Sequence, residues 1–148
     1  MKDRLTQDLK TAMLARDHFL VDVIKGLKAA ILNQEIANKK RDQGLSDQEV
    51  ETLFAKEAKK RLEAAELYAQ GGNQAMADKE RAEHTVIMQY LPEQLSEAQI
   101  AELVKTAINE TGASSMADIG KVIGAVKANA GNTADGALIA TIVKNKLQ

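Results

Sequence analysis

Apolar residues recur at intervals of three and four along most of this chain, the spacing that lines one face of an α-helix. Leu5, Leu9, Ala12 and Met13 follow it between Met1 and Ala15. Val23, Ile24, Leu27, Ile31 and Leu32 are read as the inward stripe of a longer helix over Phe19 to Asn38, with Lys25, Lys28 and Glu35 elsewhere. Composition agrees: alanine, leucine, glutamate, lysine and glutamine abound while aromatics make up 3% of the 148 residues, so the usual materials of a sheet are scarce. The expected fold class is all-α.

Helix boundaries are marked by residues that satisfy free backbone groups. Asp17 is placed to cap the second helix. Ser46 with Glu49 has the spacing of a capping box and opens a third helix through Val50, Leu53, Phe54, Leu62 and Leu67, with Gly71 or Gly72 as its stop. Asn73 caps a fourth, carrying Met76, Ala77, Val86, Ile87 and Tyr90, which should end near Leu91 because Pro92 disfavours α conformation in the residue before it. Pro92 is the only proline, and the segment Leu91 to Leu95 is expected to be a domain boundary and hinge. The expected organisation is an N-terminal lobe of long amphipathic helices over 1–91 and a small C-terminal three-helix bundle over 92–148.

In that bundle Ser96 and Gln99 form a second capping box, opening a helix with Ile100, Leu103, Val104 and Ile108 inward and Gly112 as its close. Ser115 and Asp118 open the next, with Ile119, Val122, Ile123 and Val126, ending near Gly131. The last starts at about Ala134 and carries Leu138, Ile139, Ile142, Val143 and Leu147.

No cysteine is present, which excludes disulfides and thiolate metal sites and suits a reducing compartment. MKDRLTQDLK lacks an apolar leader core, and no run approaches the roughly 18 apolar residues of a membrane span. A cytoplasmic protein with no membrane partner is expected. A net charge of −1 lacks the basic balance usual in nucleic-acid binders, so DNA is not expected as a partner, and any RNA contact must rest on local patches.

Catalytic groups are not recognisable. His18 and His84 are far apart in sequence, and Glu80 stands four residues before His84 rather than the three of a di-iron Glu-x-x-His unit; a Glu80–His84 contact across one helical turn is the plainer expectation. Ser46, Ser96, Ser114 and Ser115 all precede helices and read as caps. The Ser114–Ser115 pair lacks the Gly-rich surround and partner lysine of amidase Ser-Ser elements. Neither a P-loop nor a dinucleotide-binding Gly-x-Gly-x-x-Gly turn occurs. No metal, no cofactor and no activity of the chain alone are expected.

Two basic runs remain, Lys39-Lys40-Arg41 between helices and Lys59-Lys60-Arg61 within one. Either can meet phosphate, but acidic residues flank them and a solvated helix face is the favoured reading. Gly120-Lys-Val-Ile-Gly124 is more informative. Its glycines stand one turn apart in the interior of a predicted helix, where each costs about 1 kcal/mol relative to alanine. With Ala117 and Ala128 they form a smooth ridge bracketed by Lys121 and Lys127. Close helix packing inside the C-terminal lobe and docking of an RNA backbone both fit such a ridge.

Tyr90-Leu-Pro-Glu-Gln-Leu-Ser96, Met116-Ala-Asp-Ile-Gly-Lys-Val-Ile-Gly124 and Gly131-Asn-Thr-Ala-Asp-Gly136 together resemble the GatB/YqeY family, over essentially the whole chain. Lys59-Lys-Arg61 fits the basic element of that family's third helix. The resemblance implies a C-terminal lobe similar to the tail domain of the GatB component of the glutamine-dependent aspartyl/glutamyl-tRNA amidotransferase, a tail that grips transfer RNA. It therefore implies a translation-linked, non-catalytic accessory protein with transfer RNA or a translation-related protein as partner. A carbon-nitrogen ligase label, with glutamine as amido-N-donor, is inherited by name. Carried over by position, the candidate RNA-facing residues are Gly120, Lys121 and Gly124, then Lys127, Asn132 and Lys144, with Lys59, Lys60 and Arg61 in the other lobe. The rival expectation is a protein-interaction module that binds no RNA.

Overall fold

The computed structural model describes residues 1–148: seven α-helices, two short 3₁₀ turns and no strand. The all-α class is therefore as read from periodicity. The chain forms two compact units, Met1–Leu91 and Pro92–Gln148.

In the first unit, α1 (Lys2–Ala15) ends where Arg16 turns left-handed, and α2 (His18–Ala37) starts at once because the Asp17 carboxylate accepts from the Leu20 N–H at 2.9 Å. The two helices lie antiparallel and bury Leu5, Ile24, Leu27 and Ile31 in a core shared with Val50, Phe54, Ile87 and Tyr90. Leu32 is 45% exposed, not inward. At about 100° per residue it falls just outside the arc of α2 that holds Val23, Ile24, Leu27 and Ile31.

The loop from α2 to α3 (Asp47–Gln70) is built around Glu35, a buried carboxylate that pairs with Lys2 and accepts from the Leu45 N–H at 3.0 Å. Both bonds of the Ser46–Glu49 capping box form. Gly71, at a right-handed φ of −77°, caps α3, and Gly72, at +76°, makes the left-handed turn into α4 (Gln74–Met88), whose cap is Asn73. Val50, Phe54, Ala58 and Ala65 are the buried residues of α3, whereas Leu62 and Leu67 are exposed.

Helix α4 ends at Met88 rather than near Leu91. Gln89, Tyr90 and Leu91 each donate to the carbonyl three residues back, which tightens the chain and turns Tyr90 inward. Its ring meets Phe54 edge-on at 6.1 Å, its hydroxyl donates to Asp8 at 2.8 Å, and Arg4 stacks on its open face. Pro92 restricts Leu91 and has no N–H to extend the helix, and the chain leaves α4 with Tyr90 buried.

The second unit has α5 (Glu97–Thr111), α6 (Ile119–Ala130) and α7 (Gly136–Leu147) around Ile100, Val104, Val122, Val126, Ile139 and Val143. Its Ser96–Gln99 capping box also forms, and Gly112 closes α5 at φ +63°. Asp118 accepts from the Ser114 and Ser115 N–H groups and leads through the 3₁₀ turn Met116–Asp118 into α6. Asp135 caps α7, which begins at Gly136, two residues beyond the expected Ala134. Within this unit the chain after Pro92 is tied down by Leu95 N–H donating to the Thr133 carbonyl at 2.7 Å and the Gln94 amide donating to the Asn132 carbonyl at 3.0 Å.

Candidate nucleic-acid interface

Helix α6 buries Val122, Val126 and Ala130. Opposite them, by helical period, stand Gly120, Gly124 and Ala128, all exposed, with Lys121 and Lys127 on the two flanks and the exposed Ala117 in the 3₁₀ turn before the helix. A Cβ added to Gly120 or Gly124 would meet nothing within 4 Å. This removes close helix packing inside the C-terminal lobe as the reason for the glycines. The ridge is an open surface. Gly120 is also not mid-helix: the 3₁₀ turn delays α6, so it is the second residue and Gly124 alone lies in the interior.

The flanking lysines differ. Lys121 donates to the Thr111 carbonyl at 2.8 Å, bridging the end of α5 to the start of α6. This holds a positive charge beside the ridge at the expense of one of its three N–H donors. Lys127 lies across the start of α7, where its Cε and Nζ stand 3.3 and 3.5 Å from the place of a Gly136 Cβ. Asn132 is half-buried and gives its carbonyl to Gln94, so its backbone is structural. Lys144 is exposed in the last turn of α7, where a cation suits the helix dipole. Gly120, Lys121, Gly124 and Lys127 thus share one helix face, with Lys144 on another helix.

The run Lys59-Lys60-Arg61 is divided. Lys59 and Lys60 are exposed and pair along their own helix, with Glu63 at 3.9 Å and with Glu57 at 2.6 Å. Arg61 points the other way, 3.2 Å from both Glu80 and Glu83, and clamps α3 to α4. Its guanidinium is committed to carboxylates rather than displayed. Glu80 therefore pairs with Arg61 and not with His84, whose half-buried ring has its pKa lowered by loss of water. Lys40, from the other basic run, pairs with Glu49 at 2.5 Å.

Sequence periodicity missed the second face of α2, where Leu32 and Ile36 are exposed. The signal was there in the spacing Ala29, Leu32, Ile36, which forms a second apolar stripe beside the first.

The family described as "YqeY: Yqey-like protein" matches residues 2–147. Three curated relatives carry the name "Altered inheritance of mitochondria protein 41, mitochondrial". That of Eremothecium gossypii is 33% identical over 87 residues, 59% of this chain and 46% of the relative. That of Lachancea thermotolerans is 30% identical over 108 residues, 72% of this chain and 57% of the relative. That of Pyrenophora tritici-repentis is 29% identical over 132 residues, 86% and 71% respectively. The chain spans about half the length of the first two. These names correct the cytoplasmic expectation: the relatives are named as mitochondrial, and a cysteine-free helical chain suits a mitochondrial interior as well as a cytosol. No helix is long and apolar enough to cross a membrane.

Proposed function

This chain belongs to the YqeY-like protein family, and from that premise we propose that it is a non-catalytic accessory protein whose C-terminal unit docks on the backbone of transfer RNA through the open α6 ridge. The observation that carries this reading is the pair of uncovered glycines, Gly120 and Gly124, between two lysines. Bare backbone lets a bulky polyanion approach closely, and flanking ammonium groups supply charge-assisted bonds to phosphate. Lys121, Lys127 and Lys144 are the proposed phosphate contacts, with Lys59 and Lys60 as a secondary site. The relatives' names point to a mitochondrial rather than cytosolic setting.

Amide transfer from glutamine is not assigned to this chain. Ser46 and Ser96 are occupied in capping boxes, and Ser115 bonds to Asp118. A protein partner on the same ridge is the second reading, favoured by one fact: residues 92–148 hold 5 lysines against 6 acidic residues, so the unit has no basic surplus.

Salt dependence separates the two. Titration of the protein into a mixed transfer-RNA pool at two salt concentrations is expected to show binding that weakens with salt and is lost in Lys121→Glu at unchanged helicity. Absence of binding at low salt contradicts the RNA reading and leaves the protein-partner one.

A further inference from the structure

Outside the ridge, an apolar stripe on α2 lies uncovered. Leu32 and Ile36 are 45% and 53% exposed, and Ala29 lies on the same side. Gly26, in the interior of the helix, has nothing within 4 Å of an added Cβ. There α2 and α3 part, leaving clefts of about 210 and 490 Å³ that both include Gly26 and Glu57 in their walls. A helix apolar on two sides is ordinarily covered on both. Met13 and Leu14, at the corner joining α1 to α2, add a second exposed pair at 57% and 77%. Between these apolar groups the same face carries Asp22 and Lys25, both exposed, with no ion pair to any other residue of the chain.

We propose that a second copy of this chain covers this face, its α2 running antiparallel to the first about a twofold axis between Asp22 and Lys25. A twofold axis makes each contact reciprocal. Opposite charges three residues apart on one helix face are therefore self-complementary: Asp22 of each copy meets Lys25 of the other, in both directions. That register fixes the rest. Gly26 lies beside the axis, where the two backbones approach most closely. Leu32, about 13 Å along α2 from the axis, reaches the second copy's corner of α1 and α2, where Leu14 stands exposed, and Ala29 meets the first turn of the second copy's α2. Burial of Ala29, Leu32 and Leu14 supplies the attraction, and the charge pairs select the register.

Sedimentation of the full chain from about 1 to about 100 µM tests this, a range that brackets a micromolar dissociation constant. Wild type is expected to approach twice the monomer mass of 16.0 kDa. Asp22→Lys and Lys25→Asp each set like charges face to face and are expected to weaken the dimer at least about tenfold. The double swap reinstates opposite pairs and should return the dissociation constant to within about threefold of wild type. Circular dichroism confirms folding, which neither exposed residue supports. A wild-type monomer throughout, a dimer that the single variants leave intact, or a double swap that restores nothing overturns the proposal.

Discussion

Gly44 and Gly124 use the same missing side chain in opposite ways. Gly44 sits at φ +75°, and a Cβ there would come within 2.5 Å of the Lys2 ammonium that serves Glu35. Gly124 has ordinary helical backbone and open space around it. Gly44→Ala is expected to destabilise the protein by about 1–3 kcal/mol, through a left-handed non-glycine residue and a displaced ion pair. Gly124→Ala should instead stabilise it by up to about 1 kcal/mol, the helix-propensity difference. Denaturant unfolding of the two variants measures both. At this scale the sequence was only half legible: Gly120 and Gly124 are identifiable as a ridge from spacing alone, whereas which neighbours they lack is a matter of tertiary structure. Arg61 makes the same point. Its run with Lys59 and Lys60 reads as a basic patch, and only the pairing of α3 with α4 reveals the two carboxylates that claim it.

Helix ends were the most legible elements because their causes are local. Ser46 with Glu49, Ser96 with Gln99, Asp17 and Asn73 each satisfy backbone groups within three residues, and every one caps as expected. The exact end of α4 was less legible: it stops at Met88, and Tyr90 beyond it packs edge-on against Phe54. The start of α3 also carries the clearest acid sensitivity. Glu49 is held down to about 2 from an ordinary 4.5, first by the bond from Lys40 and then by the Ser46 N–H. A carboxylate with a lowered folded pKa stabilises above its unfolded value and loses that contribution as pH falls through the folded one. Stability is therefore expected to decline between about pH 4.5 and about pH 2. Glu35, lowered chiefly by its bond from Lys2, adds to the same slope. Glu49→Gln should flatten the acid limb of stability against pH while keeping the side-chain length of the box, a difference that urea melts at stepped pH resolve.

At the scale of the molecule, the two units present different kinds of surface. Residues 92–148 expose a bare, lysine-flanked helix, and residues 1–91 expose an apolar one, so transfer-RNA docking and self-association stand or fall separately. Family membership carries no statement of what is bound, and the proposed contact rests on the ridge. The most direct test is to fill the ridge without disturbing the fold. In Gly124→Leu the new side chain enters open space and improves helix propensity, so the melting temperature should be at or above wild type. If the bare backbone is where transfer RNA docks, the affinity of this variant for a transfer-RNA pool should fall at least about tenfold at low salt, because a side chain would hold the phosphates off the helix. A well-folded Gly124→Leu protein that binds transfer RNA as tightly as wild type would contradict docking on the ridge.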